Sequence, residues 1–256
     1  MTDPLPPPPC FRCDGERALI TGASRGIGRA AAIALAQAGA EVTLAARSVA
    51  DCEETAAALR AAGLHAKAAA LDVTDRAAVR GFVAAEPPFG ILVNNAGTNI
   101  REPFLEVRDD SLDQLLDLNV RAMFTVAQAV ARRLVAAGQP GSLINVSSIN
   151  GHRGGVNRSA YTATKHAVEG ATKGMAAELG PHGIRVNTLC PFFVETPLTA
   201  GILSDERFRN ALERRVPLGR ILRTEDLVGA VVFLASPASA MVSGLALIVD
   251  GGFNVQ

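Results

Sequence analysis

Arg17-Ala18-Leu19-Ile20-Thr21-Gly22-Ala23-Ser24-Arg25-Gly26-Ile27-Gly28 is the stretch on which the fold turns. Its first five residues form a short apolar run, read as a buried strand, and Gly22 breaks it. From Gly26 the pattern becomes helical through Ala38, with Gly39 at the C-cap position. Between a strand and a helix, glycine permits a tight turn and close approach of backbone to a pyrophosphate. The helix N-terminus then offers free N–H groups and a partial positive charge. The spacing Gly22-x-x-x-Gly26-x-Gly28 differs from the commoner G-x-G-x-x-G, but its setting is the same. Gly22, Ser24, Arg25, Gly26, Ile27 and Gly28 are therefore candidate cofactor-binding residues.

Outward from this unit the alternation continues. Strand Val42–Ala45, helix Asp51–Ala62, strand Ala66–Leu71, helix Arg76–Ala85 and strand Ile91–Asn94 follow in turn. Two long helical stretches, about Ser111–Ala137 and Ser159–Leu179, flank strand Ser142–Ser147, and strands Val186–Leu189 and Leu245–Val249 complete the pattern. The expectation is an α/β fold: one Rossmann-type, doubly wound parallel sheet of about seven strands, with right-handed crossovers and helices on both faces. Ligands of such sheets bind at the carboxyl ends of the strands. Residues 191–218, bounded by prolines and carrying two short helical patterns, read as a substrate lid.

Chemistry concentrates in Ser148 to Lys165. Tyr161 and Lys165 are four apart on a helix and share a face. An ammonium beside the phenol stabilises the phenolate and lowers its pKa, which suits a general acid/base. Ser148 lies upstream, after the apolar run Leu143-Ile144-Asn145-Val146. Adjacent Ser147 is its rival, and strand alternation predicts that only one of the two faces a pocket.

Together with Asn94-Asn95-Ala96-Gly97, these motifs resemble the short-chain dehydrogenase/reductase family, in the family's order, from about Arg17 to Phe253. The resemblance implies a catalytic group of Asn119, Ser148, Tyr161 and Lys165. Ser148 would hold the substrate oxygen, Tyr161 would exchange a proton with it, and Lys165 would also hold the nicotinamide ribose. Asn119 would fix a water beside Lys165. Asp72 and Val73 match the adenine-contacting position, Asn95, Ala96 and Gly97 the segment along the adenosine ribose, and Pro191, Val194 and Thr196 the segment beside the nicotinamide. Phe192 stands where the family has glycine, which suggests a more apolar pocket wall.

Cofactor choice is read at the end of the second strand. An NAD site needs a carboxylate there, whereas this strand ends Ala45-Ala46-Arg47. Arg47 and Arg25 could bracket a 2′-phosphate, so NADP(H) is the expected cofactor. The expected function is an NADP(H)-dependent oxidoreductase that moves hydride between the nicotinamide and a carbonyl or secondary alcohol. An NAD(H)-dependent sugar-acid or polyol dehydrogenase of the same family is the alternative. A non-enzymatic cofactor-binding sensor should show damage at the catalytic positions, and all four are intact. Asn150, His152, Arg153, Phe192 and Phe193, with Ser148, are candidate substrate contacts. Arg101, His152, Arg153 and Arg158 suit a polar or acidic substrate; Phe192, Phe193 and Leu198 suit an apolar one. The sequence also looks similar to gluconate and deoxygluconate dehydrogenases and to β-ketoacyl carrier-protein reductases.

At 256 residues the chain supports one sizeable domain, expected over 15–256. Its formal net charge is zero, so no global field draws it to nucleic acid or an anionic membrane. No apolar run is long enough to span a bilayer and the start lacks a signal-peptide pattern, which argues for the cytoplasm. Cys10-Phe11-Arg12-Cys13 has metal or redox spacing, but no further ligands follow nearby, so free thiols and no metal are expected. Residues 1–14, opening with a proline-rich run, read as a flexible extension. The long helices carry more apolar surface than one sheet face can cover. That implies association, with a homotetramer expected and a dimer as the alternative.

Overall fold

The computed structural model describes residues 8–255. Seven strands form one sheet: β1 (Arg17–Thr21), β2 (Glu41–Ala46), β3 (Ala66–Ala70), β4 (Ile91–Asn94), β5 (Gly141–Val146), β6 (Ile184–Pro191) and β7 (Ala246–Val249). The spatial order is β3-β2-β1-β4-β5-β6-β7, and every neighbouring pair is parallel. The helices are α1 (Gly26–Gln37), α2 (Val49–Ala61), α3 (Arg76–Ala85), α4 (Asp109–Leu116), α5 (Met123–Ala137), α6 (Ser159–Leu179), α7 (Ala200–Leu203), α8 (Glu206–Glu213) and α9 (Glu225–Ala235).

Strand alternation divides the core in two. Ala18 and Ile20 of β1 pack on one face with Leu35 of α1, Leu59 of α2 and Val231 of α9. Leu19 points to the other face, among Val79 and Val83 of α3 and Val126, Val130 and Leu134 of α5. From β1 the chain winds outward through β2 and β3, then returns to lay β4 on the other side of β1. That reversal opens a crevice above the carboxyl ends of β1 and β4, where ligands of open α/β sheets bind.

Three departures from the sequence reading have physical causes. The stretch expected as one helix from Ser111 to Ala137 is α4 and α5 joined by a π-helical segment, Asp117–Ala122. Widening the helix there turns Asn119 inward; it is buried. Helix α9 was not anticipated. Its core, Leu-Val-Gly-Ala-Val-Val-Phe-Leu, is apolar on every side, and periodicity cannot tell such a run from a buried strand. Finally, Cys10–Asp14, expected to end a flexible extension, lie against the body. Cys13 N–H donates to Ala38 O at 2.8 Å, Ala238 N–H donates to Cys10 O at 3.0 Å, and Cys13 is buried. Of the proline-rich run, Pro4 to Pro7 fall outside the described residues.

Candidate active site

The glycine turn and β4 meet at the crevice through backbone contacts too close for side chains. A Cβ on Gly28 would lie 2.4 Å from Gly22 O, and one on Gly22 would lie 2.9 Å from Ala96 Cα. Gly22 and Gly26 also take the left-handed conformations, φ 64° and 57°, that favour glycine. Thr21 Oγ1 accepts from Asn95 N–H (3.1 Å) and Ala96 N–H (3.2 Å), while Asn95 Nδ2 donates to Thr21 O and Gly22 O. The turn is thus clamped to the end of β4. Opposite it, a Cβ on Gly26 would lie 3.3 Å from Thr196 Cγ2.

Asp72 binds its own turn, accepting from the backbone N–H and hydroxyl of Thr74. Those bonds hold its carboxyl below the usual range, with a smaller contribution from Arg47. The N-cap of α3 is Asp75, and Val73 is buried. Arg25 and Arg47 are exposed, and among the described residues neither pairs with a carboxylate.

A cleft of ≈ 250 Å³ continues from this crevice across β4, β5 and β6. Ile27, Asn95, Gly97, Ser147, Ser148, Asn150, Tyr161, Lys165, Pro191, Phe192, Phe193, Val194 and Thr196 all line it. Residues 148, 161 and 165 therefore come together, as their spacing implied. Ser147 and Ser148 both border the cleft, but the Ser147 hydroxyl is buried and turned toward Gly151, whereas the Ser148 hydroxyl faces the Tyr161 phenol, so one serine of the pair points into the site. Ser148 caps the short turn Ile149–Gly151, its hydroxyl accepting from Asn150 N–H at 3.1 Å.

Lys165 is buried, with Nζ donating to Val146 O at 2.9 Å and lying 5.7 Å from the centre of the Tyr161 ring. Burial pushes its pKa down to about 8. Burial raises the phenol of Tyr161, opposed by the Ser148 hydroxyl and the Arg158 guanidinium. The sequence reading assigned that lowering to Lys165; Arg158 was missed in this role. Asn119 does not touch Lys165. Its Oδ1 accepts from Thr98 N–H and its Nδ2 donates to Thr98 O, each at 2.9 Å, and to Thr164 Oγ1 at 3.2 Å. It ties the loop after β4 to the residue beside Lys165.

Two expected substrate contacts lie elsewhere. Arg153 stacks on Phe253, 4.8 Å from the ring centre, and His152 turns to Glu169 and Cys190 behind the cleft. Neither lines the cavity, because the turn after Ser148 directs them away from it. Phe192 adopts no left-handed backbone and stacks on Phe253 with ring centres 4.0 Å apart. It forms the apolar wall without backbone strain.

Arg101 and Arg158 do line the cleft. Asn157 takes a left-handed turn (φ 57°) just before Arg158, and its carbonyl accepts from Glu102 N–H at 3.2 Å, joining the two loops. Arg158 sits over Phe193 at 4.7 Å and Arg101 over Phe208 at 6.0 Å. Among the described residues neither has a carboxylate partner. Asn99 Oδ1, also in the cleft, is buried without a hydrogen-bond partner; nothing in the sequence marked it.

A family model described as enoyl-(acyl carrier protein) reductase matches residues 22–254. The chain belongs to the short-chain dehydrogenase/reductase family. It is 44% identical to gluconate 5-dehydrogenase of Gluconobacter oxydans (strain 621H), over 97% of this chain and 98% of that one. It is 43% identical to D-erythrulose reductase of Gallus gallus, over 94% and 97%. A crystal structure of a gluconate 5-dehydrogenase from Burkholderia cenocepacia J2315, in complex with NADP and tartrate, superposes with a TM-score of 0.93. It is 40% identical and covers 96% of this chain and 98% of that one. This family membership makes the chain an oxidoreductase with a seven-stranded Rossmann-type domain.

Proposed function

We propose that the protein is an NADP(H)-dependent oxidoreductase that interconverts a carbonyl and a secondary alcohol on a small, acidic, polyhydroxylated substrate. The observation that carries the reading is the convergence of Ser148, Tyr161 and Lys165 on one cleft with two guanidiniums, Arg101 and Arg158, that have no carboxylate partner among the described residues. The chain fits the cofactor: glycines let the turn pack directly on the end of β4, which leaves its backbone and the start of α1 facing the crevice, and Asn99 offers an acceptor unmet among the described residues. Gly22 to Gly28 would hold its pyrophosphate, Arg25 and Arg47 its 2′-phosphate, and Asn95 to Gly97 with Pro191 to Thr196 its two riboside ends. When bound, NADP(H) supplies or accepts the hydride.

Ser148 holds the substrate oxygen by a hydrogen bond. Tyr161 gives its proton to that oxygen in reduction and takes it back in oxidation. With its phenol raised by burial, Tyr161 stays protonated near neutrality and is poised as the acid. Lys165 places positive charge beneath it, and Asn119 fixes the loop wall through Thr98. Arg101 and Arg158 bind a carboxylate with charge-assisted bonds, while Phe192 and Phe193 shield the reacting carbon from water.

The similarity to a gluconate dehydrogenase and to an erythrulose reductase suggests two substrate classes to compare, sugar acids and neutral ketoses. The arginine pair favours the acid. NADPH oxidation with matched keto-aldonates and neutral ketoses tests this: the acids should be preferred at least tenfold, and equal rates would remove the arginines from recognition.

No helix among the described residues is long and apolar enough to cross a membrane, in keeping with a cytoplasmic location. Exposed Leu105, Phe124 and Ile248, on the loop before α4, on α5 and on the edge strand β7, support assembly through two surfaces. A homotetramer uses both and a dimer one. Light scattering at micromolar concentration should give the tetramer mass; a monomer would end this reading.

A further inference from the structure

Behind the cleft, on the far side of Lys165, three side chains from distant parts of the chain converge. His152 follows the Ser148 turn, Glu169 lies one helical turn beyond Lys165 on α6, and Cys190 lies near the end of β6. His152 Nε2 is 3.4 Å from Glu169 Oε1 and 3.5 Å from Cys190 Sγ, and Sγ is 3.3 Å from the same Oε1. We propose that His152, Glu169 and Cys190 form a binding site for a divalent transition-metal ion of the zinc type, pinning the Ser148 loop to α6 and β6.

The dimensions carry the argument. Tetrahedral zinc holds nitrogen, oxygen and sulfur at about 2.0–2.3 Å, which sets donor atoms roughly 3.3–3.6 Å apart along the tetrahedron's edges. All three edges here fall in that range. A hydrogen-bond network alone would need two of them, thiol to carboxylate and imidazole to carboxylate. The third, nitrogen to sulfur, closes as well. The donor set of thiolate, imidazole and carboxylate matches zinc chemistry.

Three further features support a built site. Glu169 and Cys190 are buried, and among the described residues no lysine or arginine lies within ion-pair distance of the Glu169 carboxylate. A divalent ion would balance that carboxylate and the thiolate formed when the Cys190 proton leaves to solvent. Thr188 Oγ1 donates to Glu169 Oε2 at 2.9 Å and so orients the carboxylate, as outer-shell partners of metal ligands do. Ser147 Oγ is buried with no partner, and a Cβ built on Gly151 would lie 3.0 Å from it and 2.9 Å from Glu169 Cγ. The Ser147 hydroxyl and the Glu169 side chain thus flank the same side of Gly151, and a water there can complete a fourth position. His152, on the partly exposed edge, leaves the ion a way in.

Cobalt(II) titration of chelator-treated full-length protein tests the site. The expected result is a thiolate-to-cobalt charge-transfer band with tetrahedral d–d absorption, saturating at stoichiometric cobalt and bleached by zinc. Cys10→Ser, which alters the exposed end of the Cys10–Cys13 pair, should keep the band; Cys190→Ser and His152→Ala should lose it. If Cys190→Ser does not fold, His152→Ala decides, since that side chain lies at the exposed edge. Zinc should raise Tm of the wild type by several degrees and leave His152→Ala unmoved. Absence of the band in folded wild type, or its survival in His152→Ala, would overturn the proposal and leave a hydrogen-bonded cluster. None of these readouts depends on substrate, so they stand apart from the proposed activity.

Discussion

The two ends of the cleft are built from different materials. The end over β1 and β4 is backbone: glycines on which a Cβ would lie 2.4 and 2.9 Å from neighbouring backbone atoms, clamped by Thr21 and Asn95. The end beside residues 191–218 is side chain: Phe193 and Phe208 at 5.9 Å, edge to face, each carrying an arginine. Backbone recognition tolerates almost no substitution and suits an invariant ligand such as a dinucleotide. Side-chain recognition can be re-cut one residue at a time, which suits the part of the site that selects substrate. Tyr161, Ser148 and Lys165 stand at the seam between the two.

That contrast can be broken from the seam outward. Tyr161→Phe keeps the ring and removes only the proton, so turnover should fall by ~10²–10⁴-fold, the usual contribution of general acid/base catalysis. NADPH affinity, read by fluorescence, should stay near wild type. More than about a tenth of the rate remaining would break the assignment.

At the backbone end, Arg47→Asp should turn the kcat/KM ratio of NADPH to NADH by roughly 10²-fold, because charge-assisted bonds of ~1.5–3 kcal/mol are lost and a repelling carboxylate is gained. A wild type that prefers NADH would mean that Arg25 and Arg47 are solvated surface charges. At the side-chain end, Arg101→Met should cost a keto acid about 10–10²-fold in kcat/KM and a neutral ketose almost nothing. Arg101 is the cleaner probe, since Arg158 also faces the Tyr161 phenol. Equal losses for both substrates would show a packing role.

The smallest effect is a pH dependence. Lys165, pushed down to about 8 by burial, is charged below that pH and loses its charge above it, while Tyr161 is pushed up and keeps its proton. Reduction kcat/KM should be level below pH 8 and fall by up to about tenfold per unit above it. Lys165→Arg, which cannot lose its charge in this range, should flatten that limb even if its rate is low. A wild-type profile level to pH 10 would place the lysine outside the protonation path.

What the sequence disclosed follows the same division. Glycine spacing and apolar runs are local signals, so β1 to β7, the glycine turn and the Tyr161–Lys165 pair were legible. Helix α9, apolar on all sides, carried no period to read. The π segment at Asp117–Ala122 and the inward turn of Asn119 depend on the Thr98 loop packed beside them, which no local pattern encodes. His152 was expected in the substrate pocket because it follows Ser148 in sequence; the turn Ile149–Gly151 sends it behind the cleft instead. Its meeting with Glu169 and Cys190 joins three elements far apart in the chain, and the close ligand spacing that a sequence can display is found instead at Cys10 and Cys13.

In the proposed reaction, hydride passes from NADPH to a carbonyl held in the half of the cleft lined by Phe193, Arg101 and Arg158. NADPH deuterated at the transferring C4 position, incubated with the protein and a keto-aldonate, should give an alcohol carrying deuterium at the former carbonyl carbon, with matching loss of NADPH absorbance. Wild type should label the product and Tyr161→Phe should not. An unlabelled product, or bound NADPH that no keto acid or ketose oxidises, would contradict it.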